Sequence, residues 1–101
     1  MNRVQIELPK EKIADFCRKW QVRELSLFGS VLTEDFGPDS DIDVLVEFKL
    51  EARVGLITFA GMEIELSELL GRKVDLQTPG SLSRYFRDQV LAEAEVQYAD
   101  E

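Results

Sequence analysis

One eight-residue segment, DIDVLVEF at positions 41–48, constrains the fold more than any other part of the sequence. Its branched apolar residues are typical of a buried β-strand. Because side chains alternate between the two faces of a strand, Ile42, Val44 and Val46 are expected to point into a core. The same alternation places Asp41 and Asp43 together on the opposite face, with Cα atoms roughly 7 Å apart. The fold must therefore bury one face of this strand and leave two neighbouring carboxylates on the other.

The rest of the chain predicts short helices and strands in alternation. Strands are expected at 22–28, 41–48 and 73–77, and helices at 9–20, 30–35, 55–70 and 81–96. Gly71 is expected to end the third helix and Ser81 to cap the last one, whose apolar face would carry Leu82, Phe86 and Val90. A small mixed β-sheet flanked by helices follows, in the α/β or α+β class.

The length of 101 residues predicts a single domain spanning residues 1–101. No apolar stretch reaches the roughly 18 residues of a transmembrane helix, so no membrane association is expected. Residues 1–12 lack the apolar segment of a signal peptide. The single cysteine, Cys17, cannot form an internal disulfide, which fits a reducing compartment. These features predict a cytoplasmic protein.

The sequence contains no histidine, which excludes Ser-His-Asp triads, Cys-His pairs and His-ligated zinc within this chain. Acid–base chemistry would have to use carboxylates, lysine, tyrosine, the thiol or bound water. The net charge is −8, and segment 34–51 contributes −6 of it, with seven acids and one base. Such a segment repels phosphate backbones, so direct nucleic-acid binding is not expected. It would instead attract divalent cations or a basic partner.

Asp41 and Asp43 are candidate metal ligands. Two like charges on one strand face repel each other unless a cation lies between them. Carboxylate oxygens suit Mg²⁺, which keeps several waters and shares its coordination shell with substrate phosphates. A chance Asp-x-Asp at the start of a strand is the alternative. An EF-hand loop is excluded, because Val44 and Leu50 stand where that loop requires glycine and glutamate.

Two further features accompany the acidic strand. Gly29 and Ser30 follow the first strand, where a glycine permits a tight turn and close approach of a ligand. Backbone N–H groups and a hydroxyl at the start of a short helix suit a phosphate, although an ordinary strand-to-helix turn explains the dipeptide as well. Asp75 interrupts the apolar strand 73–77 and is costly to bury unpaired. It indicates a metal-binding or catalytic role, unless the strand lies at the sheet edge and the carboxylate is solvated.

Taken together, Leu27-Phe28-Gly29-Ser30, a ten-residue gap and Asp41-Ile42-Asp43-Val44-Leu45-Val46 resemble the nucleotidyltransferase fold of the DNA polymerase beta superfamily. The segment GRKVDLQTP, which contains Asp75, is similar to the third-carboxylate strand of that family. The resemblance covers about residues 22–96. The chain length and the final helix resemble the minimal branch, called MNT.

The resemblance implies transfer of a nucleoside monophosphate from an NTP, with AMP from ATP as the first expectation, to a hydroxyl group. By position, it implies that Gly29 and Ser30 bind the triphosphate. It further implies that Asp41, Asp43 and Asp75 are catalytic and hold two Mg²⁺ ions, with Asp75 drawing the proton from the acceptor. In-line phosphoryl transfer relies on charge neutralisation and positioning, so the lack of histidine is no obstacle.

Minimal members of this family resemble the antitoxin half of a module whose other half is a HEPN-domain RNase toxin. The resemblance therefore implies a HEPN toxin as partner, a tyrosine of the toxin as acceptor, and a possible homo- or hetero-oligomer. Two alternatives stay open, namely a non-catalytic antitoxin that neutralises its toxin by binding, and a nucleotidyltransferase acting on a small molecule.

The chain departs from the family pattern directly after Gly29-Ser30. Many members carry arginine there, whereas this sequence has Val31, Leu32 and Thr33. Positive charge for a triphosphate would then have to come from metal ions, from Arg72 or Lys73, or from the partner.

Overall fold

A computed structural model describes residue 4 and residues 6–100, and residues 1–3, 5 and 101 lie outside this description. Three α-helices span Lys10–Lys19 (α1), Leu56–Leu70 (α2) and Arg87–Glu93 (α3). Four strands span Val22–Phe28 (β1), Ile42–Phe48 (β2), Val74–Gln77 (β3) and Glu95–Ala99 (β4), and 3₁₀ turns span Gly29–Leu32 and Pro79–Ser81. No helix in the described residues has the length and apolarity needed to cross a bilayer.

The strands form one mixed sheet in the order β3-β2-β1-β4. β2 runs parallel to β3, whereas β1 is antiparallel to both β2 and β4. The expected class, a small mixed sheet with flanking helices, is therefore confirmed.

α1 and α2 cover one face of this sheet. Their buried side chains form a single cluster with those of the strands, which comprises Ile13, Phe16, Cys17, Val22, Leu25, Leu27, Ile42, Val44, Val46, Met62, Leu66, Val74 and Leu76 among others. Burial raises the pKa of the Cys17 thiol to about 12, against the opposing influence of Arg18, so this thiol stays protonated and acts as a core residue. The alternation predicted for β2 is confirmed, and Asp43 and Asp75 consequently lie on the opposite face.

Helix α2 ends as predicted, because Gly71 has φ 72° and its N–H donates to the Ser67 carbonyl. This helix is apolar on most of its circumference, and only part of that surface is buried. Leu56 is 89% exposed, Ile57 91% and Ile64 62%. The apolar surface of α2 is therefore only partly buried in the core.

The C-terminal region corrects the prediction of one helix over 81–96. A 3₁₀ turn, the short α3 and an additional strand, β4, occupy this stretch instead. Ser81 does not cap α3, which begins at Arg87. Its Oγ accepts the Thr78 N–H at 3.0 Å and closes the 3₁₀ turn that contains it. Phe86, predicted on an apolar helix face, is 51% exposed, whereas Leu82 is buried.

The β4 strand escaped prediction because its stabilising partner is far away in the sequence. It pairs with β1, with Leu27 opposite Glu95 and Leu25 opposite Tyr98. The register between these two strands shifts between Leu25 and Ser26, so the alternation of β4 is also interrupted. Strand formation depends on the neighbouring strand more than on local preference.

β3 lies at the edge of the sheet, but two of its outward-facing N–H groups donate hydrogen bonds to side chains. The Val74 N–H donates to Ser67 Oγ at 3.0 Å, and the Leu76 N–H donates to Glu63 Oε2 at 2.8 Å. Two side chains of α2 therefore close this edge and hold β3 in place beside β2.

Glu63→Ala should lower the free energy of unfolding by about 1.5–3 kcal/mol, because the Leu76 N–H loses a charged acceptor. Urea denaturation followed by circular dichroism measures this change. Glu68→Ala is the matched control, since Glu68 lies on the same helix and is exposed. It should change stability by less than about 0.5 kcal/mol. Equal effects of the two substitutions would contradict the role of Glu63.

Candidate active site

The parallel pairing of β2 and β3 brings two of the predicted acids together. Asp43 lies directly opposite Asp75 in the register. Neighbouring strands are about 4.8 Å apart, and paired residues point to the same face. Asp41 directly precedes β2 and lies two positions before Asp43. The structure thus gathers all three predicted carboxylates at one end of β2 and β3.

Gly29 lies against this acidic group. Phe28, the last residue of β1, pairs with Asp43, and the chain turns at Gly29 with φ 76°. A Cβ atom built on Gly29 would lie 2.2 Å from Asp43 Oδ2. Both the left-handed backbone and the carboxylate beside it therefore require glycine here. The Gly-Ser turn and the Asp-x-Asp strand, ten residues apart in sequence, are neighbours in space.

The helix predicted at 30–35 is instead a 3₁₀ turn spanning Gly29–Leu32. Ser30 lies in it, half-buried, and its carbonyl accepts the Thr33 N–H at 2.9 Å. Val31 and Leu32 are buried in the core cluster and anchor the turn. The residues that replace the family's arginines therefore have a structural role, and only Thr33 of the three is exposed.

The ionised form of the Asp43 carboxyl is disfavoured at this site. Desolvation, followed by the charges of Asp75 and Asp41, raises the pKa of the Asp43 carboxyl to about 6. Asp75 is exposed and accepts a hydrogen bond from Gln77 Nε2 at 3.0 Å. Lys73 Nζ approaches Asp41 Oδ2 at 3.9 Å, but both side chains are largely solvated. An exposed pair of this kind contributes little. The site has an excess of negative charge.

A hard divalent cation fits this donor set. The repulsion that raises the Asp43 pKa is what a cation between the carboxylates would relieve. Within residues 4 and 6–100, no group of three His, Cys, Asp or Glu side chains converges as closely as in a formed metal centre. Mg²⁺ commonly uses only one or two protein carboxylates together with waters and substrate phosphates. The arrangement therefore suits a metal ion whose remaining ligands are waters or phosphate oxygens.

Asp43→Asn should stabilise the metal-free protein near neutral pH. The pKa of Asp43 rises from 3.8 in the unfolded chain to about 6 in the folded protein. Below pH 3.8 the carboxyl is protonated in both states and does not destabilise the fold. As the pH rises through about 6, the folded protein has to ionise it and loses stability. After allowance for partial solvation, we expect a gain of about 1 kcal/mol at about pH 7.5. Thermal denaturation in EDTA should show this gain shrinking towards about pH 4.5. A wild type more stable than the variant at the higher pH would contradict the assigned repulsion.

The Arg72 side chain is held against the loop at 36–40. Its Nη2 donates to the carbonyls of Gly37 and Ser40, and its guanidinium carbon lies 4.2 Å from the centroid of the Phe36 ring. Nothing in the sequence marks these contacts, because every residue offers a carbonyl. The contact of Gln77 with Asp75 could have been predicted from the sequence, since residues two apart on a strand share a face.

An apolar cavity of about 410 Å³ lies at the opposite ends of β2 and β3. Its lining includes Phe48, Val54, Leu56, Phe59 and Leu76, and none of the three acids. Gln77, whose Nε2 donates to Asp75, is also among the lining residues, so the cavity borders the candidate active site.

Residues 10–96 match the family of nucleotidyltransferase domains. The chain is 39% identical over 75 residues to protein adenylyltransferase MntA of Thermococcus cleftensis, which covers 74% of each chain. It is 38% identical over 85 residues to a candidate protein adenylyltransferase of Methanocaldococcus jannaschii, which covers 84% of this chain and 89% of that protein.

Solved structures share the fold. A toxin–antitoxin crystal structure with AMP-PNP superimposes with a TM-score of 0.74 at 24% identity and covers 93% of this chain and 76% of that chain. A candidate minimal nucleotidyltransferase matches with a TM-score of 0.69 at 33% identity and covers 84% and 85%. A complex of an MNT antitoxin with a tri-AMPylated HEPN toxin of Shewanella oneidensis matches with a TM-score of 0.65 at 24% identity and covers 90% and 70%.

Proposed function

Because the chain belongs to the nucleotidyltransferase domain family, we propose that it transfers AMP from ATP to a hydroxyl group of a partner protein, with Mg²⁺ as cofactor. The observation that carries this proposal is the close approach of the Gly29 backbone to Asp43, which is itself paired with Asp75. A phosphate-binding turn and paired carboxylates are the parts that phosphoryl transfer needs. The relatives named protein adenylyltransferases support a protein as acceptor.

In this proposal, Gly29 and Ser30 would bind the triphosphate, and Asp41, Asp43 and Asp75 would hold the metal. Two bound Mg²⁺ ions would neutralise the charge on the phosphate oxygens. The exposed Asp75 takes the proton from the acceptor hydroxyl. The acceptor oxygen then forms a bond to the α-phosphorus, and the bond to the departing pyrophosphate breaks.

We further propose a HEPN-domain toxin as the partner, a tyrosine of that toxin as the acceptor, and an antitoxin role for this chain in the cytoplasm. A structural neighbour is an MNT antitoxin complexed with an AMPylated HEPN toxin, which supports this choice. The net charge of −8 favours a basic partner surface. Exposed apolar residues such as Ile57 and Tyr85 are further consistent with a protein-binding surface.

The decisive experiment measures the intact mass of a co-purified HEPN partner after incubation with this chain, ATP and Mg²⁺, with parallel samples that lack ATP or contain EDTA. A mass gain equal to one or more AMP units, absent from both controls, supports the proposal and peptide mapping identifies the acceptor. Transfer to a small hydroxylated compound without any partner would favour the small-molecule activity instead.

A second candidate is an antitoxin that neutralises its toxin by binding alone. The lack of positive charge after Gly29-Ser30 favours it, since Val31 and Leu32 are buried and Arg72 is engaged with backbone carbonyls. In that case an Asp43→Asn variant bound one-to-one would still neutralise the toxin. Loss of neutralisation by a folded variant that still binds would exclude this candidate.

A further inference from the structure

Asp41 differs from the other two acids in how its backbone is held. Asp43 lies inside β2 and Asp75 inside β3, where sheet pairing fixes both. Asp41 lies one residue before β2, after a loop at 37–40. Because no strand pairing reaches it, some other contact has to place its carboxylate beside that of Asp43.

The loop before Asp41 is built around Arg72. The Ser40 N–H donates to the Gly37 carbonyl at 3.1 Å, and the Gly37 N–H donates to Ser40 Oγ at 3.0 Å. Arg72 Nη2 donates to the Ser40 carbonyl at 2.7 Å and also to the Gly37 carbonyl. The planar guanidinium covers the Phe36 ring. A lysine ammonium has no planar group to stack on the Phe36 ring, so it cannot reproduce the whole set of contacts.

Lys73, the residue after Arg72, holds the backbone on the C-terminal side of Asp41. The Ile42 N–H donates to the Lys73 carbonyl at 2.9 Å. The Ser40 carbonyl, which Arg72 binds, belongs to the peptide group joined to Asp41. Two consecutive residues just before β3, Arg72 and Lys73, therefore hold the backbone on both sides of Asp41. Asp75 follows three positions after Arg72.

From this geometry we infer that Arg72 is a positioning residue, which places the Asp41 carboxylate beside Asp43 for cation binding. The inference rests on the proposed function, in which Asp41 is a metal ligand. It replaces the role suggested by sequence, in which Arg72 neutralises the triphosphate. The two roles predict different kinetic effects.

The first test uses the metal-free protein and Mn²⁺ alone. Arg72→Met should accelerate hydrogen exchange of the amides at 37–42 and weaken Mn²⁺ binding by about 10-fold or more, as is usual when the support of a metal ligand is removed. Arg72→Lys should give the same changes at smaller size, and it provides the measurement if the methionine variant does not fold. Arg18→Met, which removes an exposed guanidinium paired with Asp15, should change neither quantity.

The second test separates positioning from phosphate binding. In transfer assays, Arg72→Met should raise the half-saturating Mg²⁺ concentration by about 10-fold, while the KM for ATP at saturating Mg²⁺ stays within about twofold of wild type. Excess Mg²⁺ should restore most of the rate. A raised KM for ATP with unchanged Mg²⁺ dependence would overturn the inference, as would unchanged exchange and Mn²⁺ binding. If the wild type shows no transfer at all, the proposed function fails, while exchange and Mn²⁺ binding still test Arg72.

Discussion

Asp43→Asn should reduce nucleotidyl transfer by about 10²–10³-fold or more, which is the cost of removing one group that stabilises charge in a transition state. Asp43 lies between Gly29 on one side and Asp75 on the other, and it is the least solvated of the three acids. The asparagine side chain is neutral and lacks the negative charge with which Asp43 would bind a cation. The initial rate of AMP incorporation at saturating ATP and Mg²⁺ measures the loss.

Asp35→Asn is the matched control for this experiment. It makes the same chemical change in the same acidic segment, at an exposed residue outside the site. Its rate should stay within about twofold of wild type, because a surface charge distant from the reacting groups is screened by salt. Thermal denaturation of Asp43→Asn shows directly whether a loss of activity comes with a loss of stability. A rate for Asp43→Asn within tenfold of wild type would contradict the assigned mechanism.

Gly29→Ala should impair both folding and transfer. A residue with a Cβ at a φ of 76° costs about 1–2 kcal/mol. The new methyl would also lie 2.2 Å from Asp43 Oδ2, so the carboxylate or the turn must move. Because a displacement of about 1 Å at a reacting centre can cost about 10²-fold, we expect a rate loss of at least this size. Urea denaturation and initial rates measure the two effects separately.

Gly61→Ala provides a control of opposite sign. Gly61 lies within α2, and a Cβ there would meet no atom within 4 Å. Alanine should therefore stabilise the helix by up to about 1 kcal/mol and leave the transfer rate unchanged. If Gly29→Ala behaves like Gly61→Ala, then the close approach of the Gly29 turn to Asp43 has no role in catalysis.

Local sequence patterns determined most of the elements. The period of two in β2 was sufficient, because its burial pattern repeats within a few residues. The left-handed end of α2 at Gly71 also follows from neighbouring residues alone.

The tertiary structure decided what depends on residues distant in sequence. β4 exists because β1 offers it a partner, and the register of β3 sets Asp75 opposite Asp43. The contact of Gly29 with Asp43 depends on how the strands pair, as does the raised pKa of Asp43, since burial and neighbouring charges cause it. Arg72 binds the loop before Asp41 through backbone carbonyls, which all residues share. No side-chain pattern in the sequence could therefore have indicated this contact.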